Sequence, residues 1–163
     1  MNKPFSIPAE VIDPPRGEVT LELKDDKGNV VSRYVTNNLV VSLFRERQSD
    51  WAAADFTESI DEIHIGSGGH VGGDPNTPIP PTVSDTVLDV SEAAKTVSST
   101  TQPTAIETEY SVAFSTADVP DPTGITEAGL FTSPGTFMCA RVTFPEQVIT
   151  GILTLTVTWK LIF

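Results

Sequence analysis

The sequence predicts an all-β protein: an antiparallel β-sandwich or jelly roll with one short helix and an extended, proline-rich N-terminal arm. Two observations predict this class: several segments alternate polar and apolar residues, and turn-forming residues separate those segments. A single domain is expected, because 163 residues can bury one adequate core. We place the arm at residues 1–17 and the sandwich domain at residues 18–163.

The chain is acidic, with 22 Asp and Glu residues against 10 Lys and Arg and a formal net charge of −12. The acidic residues are spread along the chain, so we expect neither nucleic acid nor a membrane as a direct partner. Cys139 is the single cysteine, so no intrachain disulfide can form. The first residues carry no apolar run typical of a signal peptide, which favours synthesis in the cytoplasm.

The N-terminal segment is predicted to be extended. It contains Pro4, Pro8, Pro14 and Pro15, and proline fixes φ and removes a backbone donor. Such an arm either stays mobile or lies on a neighbouring molecule.

A β-hairpin and a helix follow the arm. Residues 18–23 alternate polar and apolar side chains, residues 26–29 form a turn, and residues 30–35 continue as a second strand. The helix is then expected to begin at a cap formed by Thr36, Asn37 or Asn38, with apolar positions at helical spacing over residues 39–44.

The middle of the chain contains one clear strand, at residues 60–65, which runs into a long Gly/Pro-rich loop at residues 66–84. We expect no regular structure in that loop. Residues 85–95 fit a short helix or a strand, and residues 98–103 read as a polar surface connector.

The C-terminal half shows the strongest strand patterns. Residues 106–114 and 153–163 each place their apolar side chains on one parity, as a half-buried strand requires. Residues 125–131 and 136–144 form two further predicted strands, joined by a Pro-Gly turn at residues 132–135. Several such strands with turns between them indicate a sandwich.

Five short segments between residues 60 and 163 form a recognisable pattern. They are Ile65-Gly66-Ser67-Gly68, Val83-Ser84-Asp85-Thr86-Val87-Leu88, Ile125-Thr126-Glu127-Ala128-Gly129-Leu130-Phe131, Met138-Cys139-Ala140-Arg141-Val142-Thr143-Phe144-Pro145 and Leu153-Thr154-Leu155-Thr156-Val157-Thr158-Trp159. This pattern resembles small tail, collar and fibre-associated proteins of tailed bacteriophages. The resemblance implies a β-sandwich virion component that forms a symmetric oligomer at the neck, the baseplate or the capsid surface.

Glu127 and Arg141 fall on adjacent predicted strands, where they can pair across the ladder, while Gly129 lets a backbone or an aromatic ring approach closely. An ordinary structural ion pair is the simpler interpretation of these two residues. An interface role is the alternative.

A metal site has weak support. His64, His70 and Asp74 offer nitrogen and oxygen ligands on or beside the glycine-rich loop, but no cysteine pair or HExxH helix accompanies them. The same loop, residues 66–69, could present backbone N–H groups to an anion, although a flexible surface loop is the simpler interpretation.

Catalytic constellations are also weak. Glu107, Glu109 and Glu127 could be imagined as the carboxylates of a glycosidase, but such coincidences are expected in an acidic chain. No Gly-x-Ser-x-Gly elbow supports a nucleophilic triad. Trp159 is expected in the core, whereas Trp51 in a polar connector is a candidate interface anchor.

The sequence thus predicts a non-enzymatic structural protein of a phage virion, made in the host cytoplasm and without a cofactor or metal. Its expected partners are copies of itself and other virion proteins at the neck, collar or tail. The candidate interface residues are Pro14, Pro15, Trp51, Glu127 and Arg141. The alternatives are a capsid decoration protein, a carbohydrate-binding module that recognises the host surface and, with least support, an enzyme.

Overall fold

A computed structural model describes residues 15–52, 59–133 and 137–163, with backbone only for residues 49–52. The elements, in chain order, are β1 (Arg16–Lys24), β2 (Val30–Val40), α1 (Ser42–Ala52), β3 (Ile60–Gly66), β4 (His70–Val71), β5 (Asp74–Pro78), β6 (Ser91–Thr96), β7 (Ser99–Thr104), β8 (Glu107–Phe114), β9 (Thr123–Thr132), β10 (Met138–Ile149) and β11 (Thr154–Ile162). The prediction of an all-β protein with one short helix is confirmed.

Nine strands form one curled antiparallel sheet in the order β6-β3-β9-β10-β2-β1-β11-β8-β7, and β4 pairs with β5 in a small second sheet. The curl brings the two ends of the large sheet together, because only Val97 and Ser98 separate β6 from β7. Val97 N donates to Asp61 O and Ser98 N donates to Ser111 O, so this corner is hydrogen-bonded to both halves. The result is a sandwich-like fold around one core.

The core follows from the alternation of β1, β8 and β11. β11 lies between β1 and β8, with Val157 opposite Leu21 on one side and Val112 on the other. These inward residues are almost completely buried, as is Trp159, while Thr158 and Lys160 face outward. The prediction that one parity of the C-terminal strand meets the core is confirmed.

The predicted start of the helix is wrong. β2 continues through the three proposed cap residues to Val40, with Asn37 opposite Glu18 and Asn38 opposite Gly17, and α1 begins at Ser42. Pairing with β1 satisfies the backbone groups that capping would have used, so the strand prevails over the helix. The helix also extends to Ala52, so Trp51 lies in α1 rather than in a connector.

Three further boundaries differ from the prediction. The loop at residues 66–84 contains the β4–β5 hairpin, and the predicted connector at residues 98–103 is strand β7, because its backbone pairs with β8. The open choice at residues 85–95 resolves into a strand from Ser91. β1 begins at Arg16, so the predicted arm overlaps the sandwich by two residues, which pair with β11.

The predicted strand at residues 136–144 forms β10 but continues to Ile149 past Pro145. Its register with β9 shifts between Thr143 and Gln147. Proline lacks a backbone donor and is tolerated at such an irregularity, which explains how the strand passes it.

The outer face of β3, β9 and β10 is covered by residues 67–90, which we name the covering segment. Ser67 N donates to Val90 O, and Thr143 Oγ1 donates to Ile79 O, which fastens the segment to β10. Leu88 of this segment is buried and lies close to Gly129 of β9. The candidate functional site lies under this segment.

Candidate functional site

The predicted pair of Glu127 and Arg141 forms the centre of a buried polar cluster. Arg141 Nη2 lies 2.6 Å from Glu127 Oε2, and Arg141 Nε donates to the same oxygen at 3.2 Å. The Glu127 side chain is 0% exposed and that of Arg141 is 7% exposed. The pair is therefore internal to the chain, and neither side chain offers a contact surface to a partner directly.

Two aspartates of the covering segment, Asp85 and Asp89, also contact Arg141. We name Arg141 and its three carboxylate partners, Glu127, Asp85 and Asp89, the Arg141 cluster. Asp85 Oδ2 lies 2.8 Å from Arg141 Nη1, and Asp89 Oδ2 lies 2.8 Å from Arg141 Nη2. Asp85 appeared in the sequence only as part of the phage-like pattern, and no feature of the sequence assigned a role to Asp89. One guanidinium thus meets carboxylates from β9 and from two positions of the covering segment, in the charge-assisted geometry that arginine favours.

The glycine loop at residues 66–69 binds an anion, and that anion belongs to the chain itself. Glu127 Oε1 accepts hydrogen bonds from Gly68 N at 3.1 Å and Val90 N at 2.9 Å. Gly69 N donates to Asp89 Oδ2 at 3.1 Å. The expectation of a flexible surface loop is wrong, because the three glycines of the loop are buried against this cluster.

Close approach explains why glycine occupies these positions. A Cβ atom at Gly68 would lie 2.6 Å from Glu127 Oε1, and one at Gly66 would lie 2.3 Å from Val90 O. Gly69 has φ +70°, a left-handed conformation that other residues rarely adopt. Glycine at positions 66, 68 and 69 therefore gives the loop the room that it needs to enclose the buried carboxylate of Glu127.

The surroundings of Asp85 and Arg141 favour the ionised forms of these two groups. Burial opposes ionisation of Asp85, but hydrogen bonds from Thr82 and Arg141 outweigh it and lower the pKa of this carboxyl. Burial alone would lower the pKa of the Arg141 guanidinium, and its hydrogen bonds to the three carboxylates raise that pKa instead. The stabilisation from Asp85 is present above the ordinary aspartate pKa of about 3.9 and is lost as the pH falls through its lowered value.

The weak metal candidates do not converge. His64 Nε2 lies 3.0 Å from Glu62 Oε2, and the His64 ring stacks on Phe131 with centroids 4.0 Å apart. The two ring nitrogens of His70 face the carbonyl oxygens of Val71 and Ser67, at 2.9 and 3.1 Å. Within the part of the chain that the structure describes, no group of three His, Cys, Asp or Glu residues could hold a metal ion.

Asp74 is used locally as well. Its carboxylate accepts hydrogen bonds from Asn76 N at 3.1 Å and from Thr77 Oγ1, and these bonds lower its pKa. These hydrogen bonds lie within β5, at the start of the strand. Asp74 is therefore a structural residue of the small hairpin, where it also pairs with Val71.

The three glutamates considered for glycoside hydrolysis are not brought together. Glu109 lies 3.6 Å from Lys160 on the exposed face of β8 and β11, and Glu107 accepts a hydrogen bond from Thr104. Glu127 is enclosed under the covering segment, on a different part of the sheet. Glu107 and Glu109 therefore do not share a substrate cleft with Glu127.

The exposed face of β2, β1, β11 and β8 carries a shallow polar depression of about 250 Å³. Its lining residues are Glu18, Thr20, Glu22, Arg33, Glu109, Thr158 and Lys160. In the strand register Lys160 lies between Glu18 and Glu109, so charges of opposite sign alternate across the face. No aromatic side chain lines this depression.

The remaining interface candidates fall at the edges of the described structure. Pro15 directly precedes β1, and Pro14 lies outside the described residues. Trp51 belongs to the backbone-only part of α1, so its side chain also lies outside the described residues. Trp159, expected in the core, is 0% exposed.

Among the helices of the described residues, none is both long and apolar enough to span a membrane. Comparisons with protein families, with curated proteins and with solved structures each find no match to this chain.

Proposed function

We propose that this chain is a non-enzymatic structural component of a tailed bacteriophage virion, which assembles as a symmetric oligomer at the neck, collar or tail. In this proposal the N-terminal arm and the loops bind neighbouring virion proteins, while the sandwich provides a rigid body. Binding rather than turnover is then the mechanism. The class of virion component comes from the phage-like sequence pattern, and the Arg141 cluster supplies its physical support.

The observation that carries the proposal is the convergence of the phage-like pattern in space. Four of its five segments contribute to the Arg141 cluster: the glycine loop through Gly68, the second segment through Asp85, the third through Glu127 and the fourth through Arg141. Segments that are distant in sequence therefore encode one buried network. A pattern with a single structural purpose is less readily explained by chance than a set of scattered matches.

The chemistry of the cluster also suits a scaffold. Its carboxylates bind the guanidinium and backbone N–H groups of the same chain, so they fasten the covering segment to the sheet. A rigid, preorganised surface loses less entropy when it binds a neighbour than a mobile loop does. Such a body suits a protein that must keep its shape inside a particle.

Quantitative peptide mass spectrometry of purified phage particles from the source tests this function. Copies of the chain are counted per virion, relative to the portal and major capsid proteins. About a dozen copies, the number expected for a ring at the neck or tail, would support the proposal. Hundreds of copies would instead favour a capsid decoration protein, and absence from clean particles would overturn a virion role.

A carbohydrate-binding module is the second candidate, favoured by the polar depression on the exposed face of the sheet. Its hydroxyl and carboxylate groups are able to hydrogen-bond sugars, although aromatic stacking from the lining residues is absent. A glycan-binding screen discriminates the two functions. Binding of a specific sugar that is lost in a Thr158→Ala or a Trp51→Ala variant would favour the carbohydrate module.

A further inference from the structure

The covering segment exposes four large aliphatic side chains. The carboxylates of Asp85 and Asp89 turn toward Arg141, and Leu88 is buried. Its outward apolar side chains are Ile79, Val83, Val87 and Val90, which are 49%, 48%, 65% and 49% exposed. Large apolar groups are normally kept from water, so the outer surface of this segment is suited to contact with another protein.

We name these four exposed side chains of the covering segment the apolar strip: Ile79, Val83, Val87 and Val90. Asp85 and Asp89 bind the same guanidinium, so Val87 sits at the apex of a loop that is held on both sides. Val83 O accepts a hydrogen bond from Ser42 N at the start of α1. The strip is therefore presented rigidly, which lowers the entropy lost on binding.

β1 begins at the end of the sandwich where Val83 of the strip meets α1. β1 and β2 are antiparallel with Gly17 opposite Asn38, so the chain before Gly17 runs in the direction that β2 takes after Asn38. Ser42, which contacts Val83, follows Asn38 by four residues, roughly 13 Å along an extended chain. The first 14 residues, extended, reach up to about 46 Å from that point.

We propose that the apolar strip receives residues 1–14 of a second copy of this chain. The inference rests on the proposed function and deepens it by naming which parts of two neighbouring copies meet. The strip is exposed in the single chain, so its surface is free to be covered by a second copy. Each copy carries both a donor segment and an acceptor strip, so arms passed from one copy to the next close a symmetric oligomer.

The composition of the N-terminal segment matches the strip. Four of its apolar residues, Phe5, Ile7, Ala9 and Val11, recur at every second position as in an extended strand that presents one apolar edge, and Met1 and Ile12 add further apolar side chains. The segment carries Lys3 near its start and the acidic Glu10 and Asp13 farther along, so only its first residues complement the Asp89 side chain, 56% exposed at the edge of the Arg141 cluster. An apolar contact is also where two acidic copies approach with the least repulsion.

Sedimentation velocity of the full-length chain and its variants tests the exchange. Val87→Asp introduces a charge into the apolar strip, and Ile7→Asp does so in the arm. Val31→Asp is the matched control, since Val31 is 61% exposed and lies near the other end of β2, roughly 20 Å from Asn38. Circular dichroism and thermal unfolding confirm that each variant is folded.

We expect Val87→Asp and Ile7→Asp each to weaken self-association at least tenfold, with little further loss in the double variant, because both remove the same contact. Val31→Asp should associate like the unmodified chain. If the chain assembles and Val87→Asp assembles equally well, the arm exchange is overturned while the proposed function stands. A chain that stays monomeric at all concentrations would overturn both.

Disulfide trapping identifies the source of the arm. An Ile7→Cys chain and a Val87→Cys chain that differ in mass are mixed and oxidised; native Cys139 does not compete because it is 0% exposed. We expect a mixed dimer, and no such dimer when Val31→Cys replaces Val87→Cys. A double Ile7→Cys/Val87→Cys chain that forms its disulfide only within one monomer would overturn exchange between copies.

Discussion

Replacing Arg141 with methionine removes the guanidinium that faces Glu127, Asp85 and Asp89. The Glu127 side chain is 0% exposed, so its charge would be left buried and uncompensated. Removing one partner of a buried ion pair costs about 3–5 kcal/mol, which is a large part of the total of about 5–15 kcal/mol that stabilises a domain. In a domain of this size the midpoint of thermal unfolding should fall by roughly 6–20 °C.

The assay is urea unfolding followed by tryptophan fluorescence, with thermal unfolding as a second readout. Arg33→Met is the matched control, because Arg33 is 62% exposed and lies 3.7 Å from Glu22, so its loss should cost less than about 1 kcal/mol. A Glu127→Gln/Arg141→Met chain should recover at least about 1 kcal/mol of the loss, since glutamine keeps the oxygen that accepts the Gly68 and Val90 N–H groups and removes the charge. If Arg141→Met costs no more than Arg33→Met, the account of the Arg141 cluster is refuted.

Three further outcomes follow from single positions. Gly68→Ala should destabilise the fold by about 1–3 kcal/mol in urea unfolding, because its Cβ would meet a buried carboxylate, whereas Gly72→Ala, with open space around it, should be neutral. Burial raises the pKa of Tyr110 to about 12, so stability should fall by roughly 2–3 kcal/mol between pH 10 and 12, where the unfolded chain loses the proton first; a Tyr110→Phe chain with the same alkaline decline would contradict this. Burial also raises the pKa of the Cys139 thiol, so a thiol reagent should label it only after unfolding, and labelling of the native chain at the unfolded rate would disprove the burial.

The strands were predictable wherever one face alone meets the core. β11 and β8 show this, because their alternation of apolar and polar residues follows directly from the two-residue period of a strand. β7 and the β4–β5 hairpin were not predictable, since their residues are mostly polar and small and β7 is exposed along its whole length. Such segments become strands only because a neighbouring backbone offers them hydrogen-bond partners.

The Arg141 cluster was predicted in part. The sequence places Glu127 and Arg141 on adjacent predicted strands, where they can pair, and the structure contains that ion pair. Its burial, the two aspartates and the role of the glycine loop depend on how residues 67–90 fold over β9 and β10, which no local pattern specifies. The same is true of the apolar strip, because four exposed aliphatic residues in a sequence look like candidates for a core.

By itself, then, the sequence determined the all-β class, the strongest strands, the acidic character of the chain and the pairing of Glu127 with Arg141. Those features depend on the local periodicity of side chains and on composition, which are properties of neighbouring residues. Only the tertiary structure decided where β2 ends, that β6 and β7 close the curled sheet, and which side of the covering segment faces outward. These features depend on hydrogen bonds and packing between residues that are far apart in the chain. Such contacts contribute to stability only once the sheet has formed.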